Sequence, residues 1–120
     1  MDFKAQAEKM GLDEDEYAEI VDLFIKTSVD NLRQLRSAVE TGDMSKIRQE
    51  THSIKGAALN LGFLDICEIV ERIGERAREN SWQGLSADIE VIRGRIDRIA
   101  DLLAQRLREN ESKGTRRGDL

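Results

Sequence analysis

The residues best suited to carry chemistry in this sequence surround a single histidine. His52 is the only histidine among 120 residues. On a helix of 3.6 residues per turn, it shares its face with residues at three- and four-residue spacings. Those residues are two cations, a glycine and a leucine: Arg48, Lys55, Gly56 and Leu59. A reactive ring, positive charge and an open position would then lie together on one helix face.

This set of side chains suits a group that receives a phosphoryl. A neutral imidazole nitrogen is a nucleophile near pH 7, and the phosphoramidate that it forms can pass the group on. Lys55 would stabilise the added negative charge. Gly56 would remove the side chain that obstructs the approach of another protein's active site, and Leu59 would supply apolar surface beside it.

Simpler interpretations of the same residues remain open at this point. His52 fits an ordinary histidine at the surface or at the edge of the core, Lys55 and Arg48 fit solvated helix residues, and Leu59 fits core packing. Gly56 is harder to explain in this way. A glycine inside a helix costs about 1 kcal/mol relative to alanine, and an exposed face offers no packing reason for it.

The elements that must position these residues are helices. Proline is absent, aromatic residues make up 4% of the chain, and the dominant residue types favour helix. Four amphipathic stripes recur at three- and four-residue steps. They are Tyr17, Ile20, Val21, Phe24, Ser28, Leu32, Leu35 and Val39; Met44, Ile47, Thr51, Ile54, Ala58 and Leu61; Ile66, Ile69, Val70, Ile73 and Ala77; and Leu85, Ile89, Ile92, Ile96, Ile99, Leu103 and Leu107.

The boundaries between the stripes also follow helix chemistry. Asp13 and Asp43 are placed to cap the first two helices, and Gly42 and Gly62 to stop them. Because the connections are short, neighbouring helices should run antiparallel. We therefore predict an all-α fold, an antiparallel up-down four-helix bundle with a short extra N-terminal helix. The bundle should span residues 1–110, with residues 111–120 as a disordered tail.

Three further residues lie inside the predicted helices. Gly74 and Gly94 interrupt otherwise favourable helix sequence, and we interpret them as points where neighbouring helices approach closely. Cys67 adjoins an apolar stripe. We expect it to be a small buried hydrophobe rather than a reactive thiol.

Composition excludes several classes of protein. One cysteine and one histidine exclude a disulfide scaffold and a Cys/His zinc site. A net charge of -5 argues against nucleic acid as a partner. No apolar run approaches the roughly 20 residues needed to cross a bilayer. The charged N-terminus lacks a signal-peptide stretch, so we expect a cytoplasmic protein without a membrane partner.

A resemblance to a known family rests on the histidine segment. The sequence from Thr51 to Phe63 resembles the signature of the histidine-containing phosphotransfer (HPt) domains of bacterial phosphorelays, which is His-x-x-Lys-Gly with a further glycine six residues later. The similarity extends over the bundle, from about Leu12 to Asn110. The positions that match the signature are His52, Lys55, Gly56 and Gly62.

The resemblance implies a function and a division of roles. His52 would accept phosphoryl from a receiver-domain aspartate and donate it to another, with Lys55 as electrostatic helper and Gly56 as steric clearance. Arg48, Leu59 and Gly62 would contribute to partner binding. The implied partners are response-regulator receiver domains and a hybrid histidine kinase, bound by a monomer.

The same resemblance places the cofactor with the partner. The chain would bind no cofactor or metal of its own, because the Mg²⁺ used in transfer would belong to the receiver. Nothing in the sequence resembles an ATP site, so we expect no autonomous kinase activity.

Two alternatives to a phosphotransfer protein remain. One is a phosphodonor input domain cut from a chemotaxis-type histidine kinase. The other is a bundle that is never phosphorylated and only binds a partner through its surface.

Overall fold

The computed structural model describes residues 2–118, with side chains for residues 2–109. The described residues form five α-helices and no strand. In chain order the helices are α1 (Phe3–Met10), α2 (Glu14–Thr41), α3 (Met44–Leu61), α4 (Leu64–Arg78) and α5 (Leu85–Gly118). The predicted all-α fold, with a short helix ahead of four longer ones, is confirmed.

Side-chain caps explain where the helices begin and end. The Asp13 carboxylate accepts a hydrogen bond from the backbone N–H of Glu16 at 2.8 Å, and the Glu16 carboxylate accepts one from Asp13 at 3.1 Å. Asp43 caps α3 in the same way through the N–H of Lys46. Gly62 ends α3 because its φ of 81° is left-handed, a conformation that glycine adopts at little cost.

The four long helices form a closed ring. Helix α2 packs against α3 and α5, and α4 packs against the same two helices. Turns at 42–43, 62–63 and 79–84 join them, which makes neighbours antiparallel. Burying one large aliphatic side chain contributes about 1.5–3 kcal/mol. Those that are fully buried in the core include Val21, Leu35, Ile47, Ile54, Ile66, Val70, Ile73, Leu85, Ile89, Ile92 and Ile96.

Helix α1 lies across one end of this ring. The Phe3 ring packs edge-on against Tyr17, with centroids 5.8 Å apart. The Arg106 guanidinium of α5 lies 5.7 Å from the centre of the Phe3 ring. It also pairs with Glu14 at 3.3 Å and with Asp15 at 3.0 Å, in the first turn of α2. One arginine of α5 therefore contacts both α1 and α2 where the ring closes.

An ion cluster sets the orientation of α4 against α5. Asp88, in the first turn of α5, is buried. Its carboxylate accepts hydrogen bonds from Arg72 at 3.3 Å and from Arg76 at 3.1 Å. Because these arginines lie on one side of α4, the cluster fixes which side meets α5.

Two members of the predicted stripes are exposed. Leu107 is 49% exposed and lies one residue beyond Arg106, which pairs with the first turn of α2 at the end of the bundle. Ile20 is 39% exposed because it lies at the edge of the stripe, next to the fully buried Val21.

The interpretation of the interior glycines as points of close helix approach is wrong. A methyl group at Gly94 would meet no atom within 4 Å outside its own stretch of helix. At Gly74 the nearest atom would be the Thr51 hydroxyl oxygen, at 4.0 Å, which is ordinary van der Waals contact. Neither position needs a glycine for packing.

Two further expectations concern the C-terminal tail and the ability of a helix to span a membrane. The backbone of α5 continues through residues 111–118 of the predicted tail, whereas residues 119–120 lie outside the described residues. No side chains are described beyond residue 109, so the boundary of the bundle at 110 stays a prediction. Over the part of the chain that the structure describes, no helix combines the length and the apolar character that crossing a bilayer requires.

Candidate functional site

His52 lies on the face of α3 that points away from the core. The preceding residue, Thr51, is buried, and its hydroxyl donates a hydrogen bond to the Ile47 carbonyl at 2.8 Å. One residue further along the helix is a rotation of about 100°. This rotation brings the His52 imidazole out of the core seam to an exposed position, as the helical period predicts.

The imidazole faces a groove between α3 and α4. The groove has a volume of about 530 Å³ and opens to solvent. Three cationic and two anionic side chains line it. The lining residues are Arg48, Thr51, His52 and Lys55 from α3, and Val70, Glu71, Gly74, Glu75 and Arg78 from α4. A negatively charged group on His52 would therefore lie among cations from both helices.

Lys55 does not point freely into solvent. Its ammonium group forms an ion pair across the groove with the carboxylate of Glu71, and both side chains are about half exposed. The backbone of Lys55 is held from behind, because the Cys67 thiol of α4 donates a hydrogen bond to the Lys55 carbonyl at 3.6 Å. Lys55 thus has a defined place one turn from His52.

Cys67 behaves as the small buried residue that the sequence predicts. Its side chain is part of the core cluster. Burial raises the pKa of the Cys67 thiol, and the nearby Lys55 ammonium opposes that shift. A buried thiol with a raised pKa is a poor nucleophile, so Cys67 supports the position of Lys55 and adds no reactive group to the groove.

Gly56 leaves open space beside His52. A methyl group at this position would have no heavy atom within 4 Å outside its own stretch of helix. The packing of this chain therefore gives no reason for a glycine here, although it costs about 1 kcal/mol relative to alanine. Its effect is to leave the surface bare one turn from the imidazole.

The other two candidate residues of α3 lie apart from the groove. Leu59 is 55% exposed, so core packing does not explain it, and it adds apolar surface on the side of Gly56. Gly62 is the left-handed residue that ends α3. It lies ten residues from His52, or about 15 Å along the helix axis. The structure assigns Gly62 a capping role and does not bring it to the imidazole.

The α4 side of the groove was missed by sequence reasoning. Glu71, Glu75 and Arg78 recur at spacings of four and three residues and share one face of α4. The sequence shows charged residues along most of α4, and all of them fit a solvated face. Only the packing of α4 against α3 distinguishes those that face the imidazole.

This arrangement can exchange an anionic group with another protein. The imidazole is exposed, the surface next to it is bare, and cations flank it along the groove. Among the residues that the structure describes, no group of three His, Cys, Asp or Glu side chains is placed to hold a metal ion.

Comparison with known proteins agrees with this geometry. The model of the Hpt domain family matches residues 19–109, about three quarters of the chain, and the match includes the whole groove. Among solved structures, the chain is similar to the crystal structure of histidine-containing phosphotransfer protein B (HptB) from Pseudomonas aeruginosa PAO1. The TM-score is 0.76 at 28% sequence identity, covering 91% of this chain and 95% of that one. No curated protein sequence gave a significant match.

Proposed function

The chain belongs to the Hpt domain family of histidine phosphotransfer proteins, which act in phosphorelays, and on this premise we propose that His52 carries the phosphoryl group. The observation that supports the assignment is the position of the chain's single histidine. It is exposed on α3, with Gly56 bare beside it and cations along the groove. A phosphotransfer histidine must be reached by another protein's active site, and this one can be.

The proposed reaction moves a phosphoryl group from the acyl phosphate of one receiver to that of another, through a phosphoramidate on His52. An imidazole nitrogen of His52 attacks the phosphorus of a receiver's aspartyl phosphate. A P–N bond forms, the P–O bond to the aspartate breaks, and the carboxylate leaves with the bonding electron pair. Onward transfer is the same step in reverse, with the carboxylate of a second receiver as nucleophile.

The neighbouring residues have separate roles in this proposal. Lys55 stabilises the negative charge of the transferring group, because its ammonium group lines the same groove one turn from His52. Gly56 lets the receiver's aspartate come within reach. Arg48 at the edge of the groove and the exposed Leu59 form part of the surface on which the receiver docks. Gly62 contributes by ending α3 where it does.

Partners and cofactors follow from the same chemistry. Hpt proteins are phosphotransfer intermediates with receiver domains as partners. We propose that this chain, acting as a cytoplasmic monomer, takes phosphoryl only from receivers, including that of a hybrid kinase, and never directly from ATP. The Mg²⁺ required for transfer is supplied by the receiver, and the chain contributes no metal ligand.

A relay reconstituted from three proteins tests this function. One receiver is phosphorylated with a labelled small acyl phosphate, and the remaining acyl phosphate is removed. The chain is then added in Mg²⁺ buffer, followed by a second receiver. We expect label to move to the chain and on to at least one receiver of the source genome, whereas the chain alone with ATP and Mg²⁺ stays unlabelled. If the chain takes label from none of the receivers, the proposal is refuted.

A further inference from the structure

The ion pair between Lys55 and Glu71 connects the proposed phosphoryl site to α4. Lys55 lies three residues after His52 on the same helix face, and Glu71 lines the opposite wall of the groove. Their side chains are 42% and 49% exposed, so neither is held by burial. In this structure the Lys55 ammonium group is paired with the Glu71 carboxylate. A phosphoryl group on His52 would need the same ammonium group.

Phosphorylation would change the charges around this pair. A phosphoryl group adds about 1.5 to 2 negative charges near pH 7. Three cations and two carboxylates, Glu71 and Glu75, already share the groove. The added group would compete with Glu71 for Lys55 and would be repelled by the Glu71 carboxylate. The cost of both effects falls on the phosphorylated state alone.

We propose that Glu71 is a positioning residue which holds Lys55 in the unphosphorylated protein and weakens the hold of His52 on its phosphoryl group. This inference rests on the proposed function of His52. Glu71 keeps the cation in the groove between transfers, and by drawing Lys55 back it favours onward transfer over retention. It acts through Lys55 and does not itself touch the reacting atoms.

The equilibrium of phosphoryl between a receiver and the chain measures this role. Glu71→Gln keeps the size of the side chain and removes its charge. We expect it to shift the equilibrium toward phosphorylated chain by about three- to tenfold, the size of a partly exposed ion pair together with the relieved repulsion. The melting temperature should stay within about 3 °C of the wild type, since the residue is at the surface.

Glu75→Gln is the matched control. Glu75 lines the same groove one turn further along α4 and, within the described residues, makes no ion pair with Lys55. Its substitution removes the same charge and relieves only repulsion, so we expect a shift of no more than about twofold.

A second control asks whether Glu71 acts through Lys55. In a Lys55→Ala background there is no cation to release, and Glu71→Gln should then shift the equilibrium by no more than Glu75→Gln does. A Glu71→Gln shift that matches the Glu75→Gln shift in the wild-type background would overturn the proposal. So would a large shift that persists undiminished without Lys55.

These outcomes are distinct from a failure of the proposed function. If the wild-type chain takes no label from any receiver, His52 is not a phosphoacceptor and Glu71 has no such role. If the wild type is labelled and Glu71→Gln leaves its equilibrium unchanged, the phosphotransfer function stands and the positioning role is refuted.

Discussion

The inner and outer faces of helix α3 obey different constraints. On the inner face Ile47, Ile54 and Ala58 are fully buried, and each is an apolar residue of a size that the ring of helices can enclose. On the outer face His52 and Gly56 are exposed, and neither is needed for packing. Both faces belong to one helix with one pair of caps, so the difference between them is a difference of role.

This difference shows how a site can be separated from the fold that carries it. Residues on the inner face are explained by the free energy of burying them. Gly56 lowers the stability of α3 because glycine has a low helix propensity. No packing contact in the fold compensates for this cost. Open space alone assigns no role, since Gly94 is equally open; Gly56 differs in lying one turn from His52. Changes on the two faces of α3 should therefore have opposite consequences.

The largest expected effect is on the inner face. Ile54→Asp would place a carboxylate without a partner at a position that is fully buried. We expect it to cost several kcal/mol, a large part of the 5–15 kcal/mol of a typical domain. Circular dichroism during heating measures this, and a cooperative transition near the wild-type temperature would contradict the assignment of this face to the core.

Gly56→Gln reverses this pattern on the outer face. The open space around Gly56 accepts the side chain, and helix propensity favours glutamine over glycine, so stability should be unchanged or rise by up to about 1 kcal/mol. Transfer from a phosphorylated receiver should fall by about a hundredfold or more, because a 1 Å displacement of reacting groups already costs about that much. Gly56→Ala is the control and should have a smaller effect. If the Gln variant transfers phosphoryl at the wild-type rate, Gly56 is not needed to let the receiver reach His52.

Lys55→Ala tests the charge of the outer face. The substitution leaves the nucleophile in place and removes a charge-assisted contact, which contributes about 1.5–3 kcal/mol. Transfer should slow by about ten- to a hundredfold and persist, as measured by rapid-quench kinetics. Complete loss would show that Lys55 does more than stabilise charge, and an unchanged rate would leave it as an ordinary surface residue.

Leu59→Ser should have the smallest effect. Leu59 is 55% exposed, so the free energy of unfolding should change by no more than about 0.5 kcal/mol. If the receiver covers about half of this side chain, binding loses about 1 kcal/mol, which is a fivefold weaker affinity. Titration calorimetry with a cognate receiver measures it. An unchanged affinity would exclude Leu59 from the docking surface.

The sequence predicts the fold well because each rule that it uses is local. The Asp13 and Asp43 caps and the Gly62 stop depend only on residues within one turn, and the structure confirms all three. Exposure of Leu107 could not be predicted in this way. It depends on where the first turn of α2 lies relative to α5, a relation between residues that are far apart in the chain.

The two walls of the groove differ in the same way in how far the sequence predicts them. His52, Lys55 and Gly56 lie on one helix, so their shared face follows from the helical period alone. Glu71 and Arg78 lie on a helix with charges along most of its surface, and the sequence does not say which of them meet α3. The α3 wall of the groove was predictable, and the α4 wall required the packing of two helices.

The most direct test of the central claim is the chemistry of the label on His52. Wild type and His52→Gln are incubated with a receiver domain that carries a labelled phosphoryl group, in Mg²⁺ buffer without ATP. The labelled chain is then treated with acid and with alkali. We predict label on the wild type alone, lost in acid and kept in alkali, because the P–N bond of a phosphoramidate breaks once its nitrogen is protonated. Both proteins should melt at similar temperatures, since His52 is exposed. Label that persists in the Gln variant, or that survives acid, would contradict the phosphohistidine assignment.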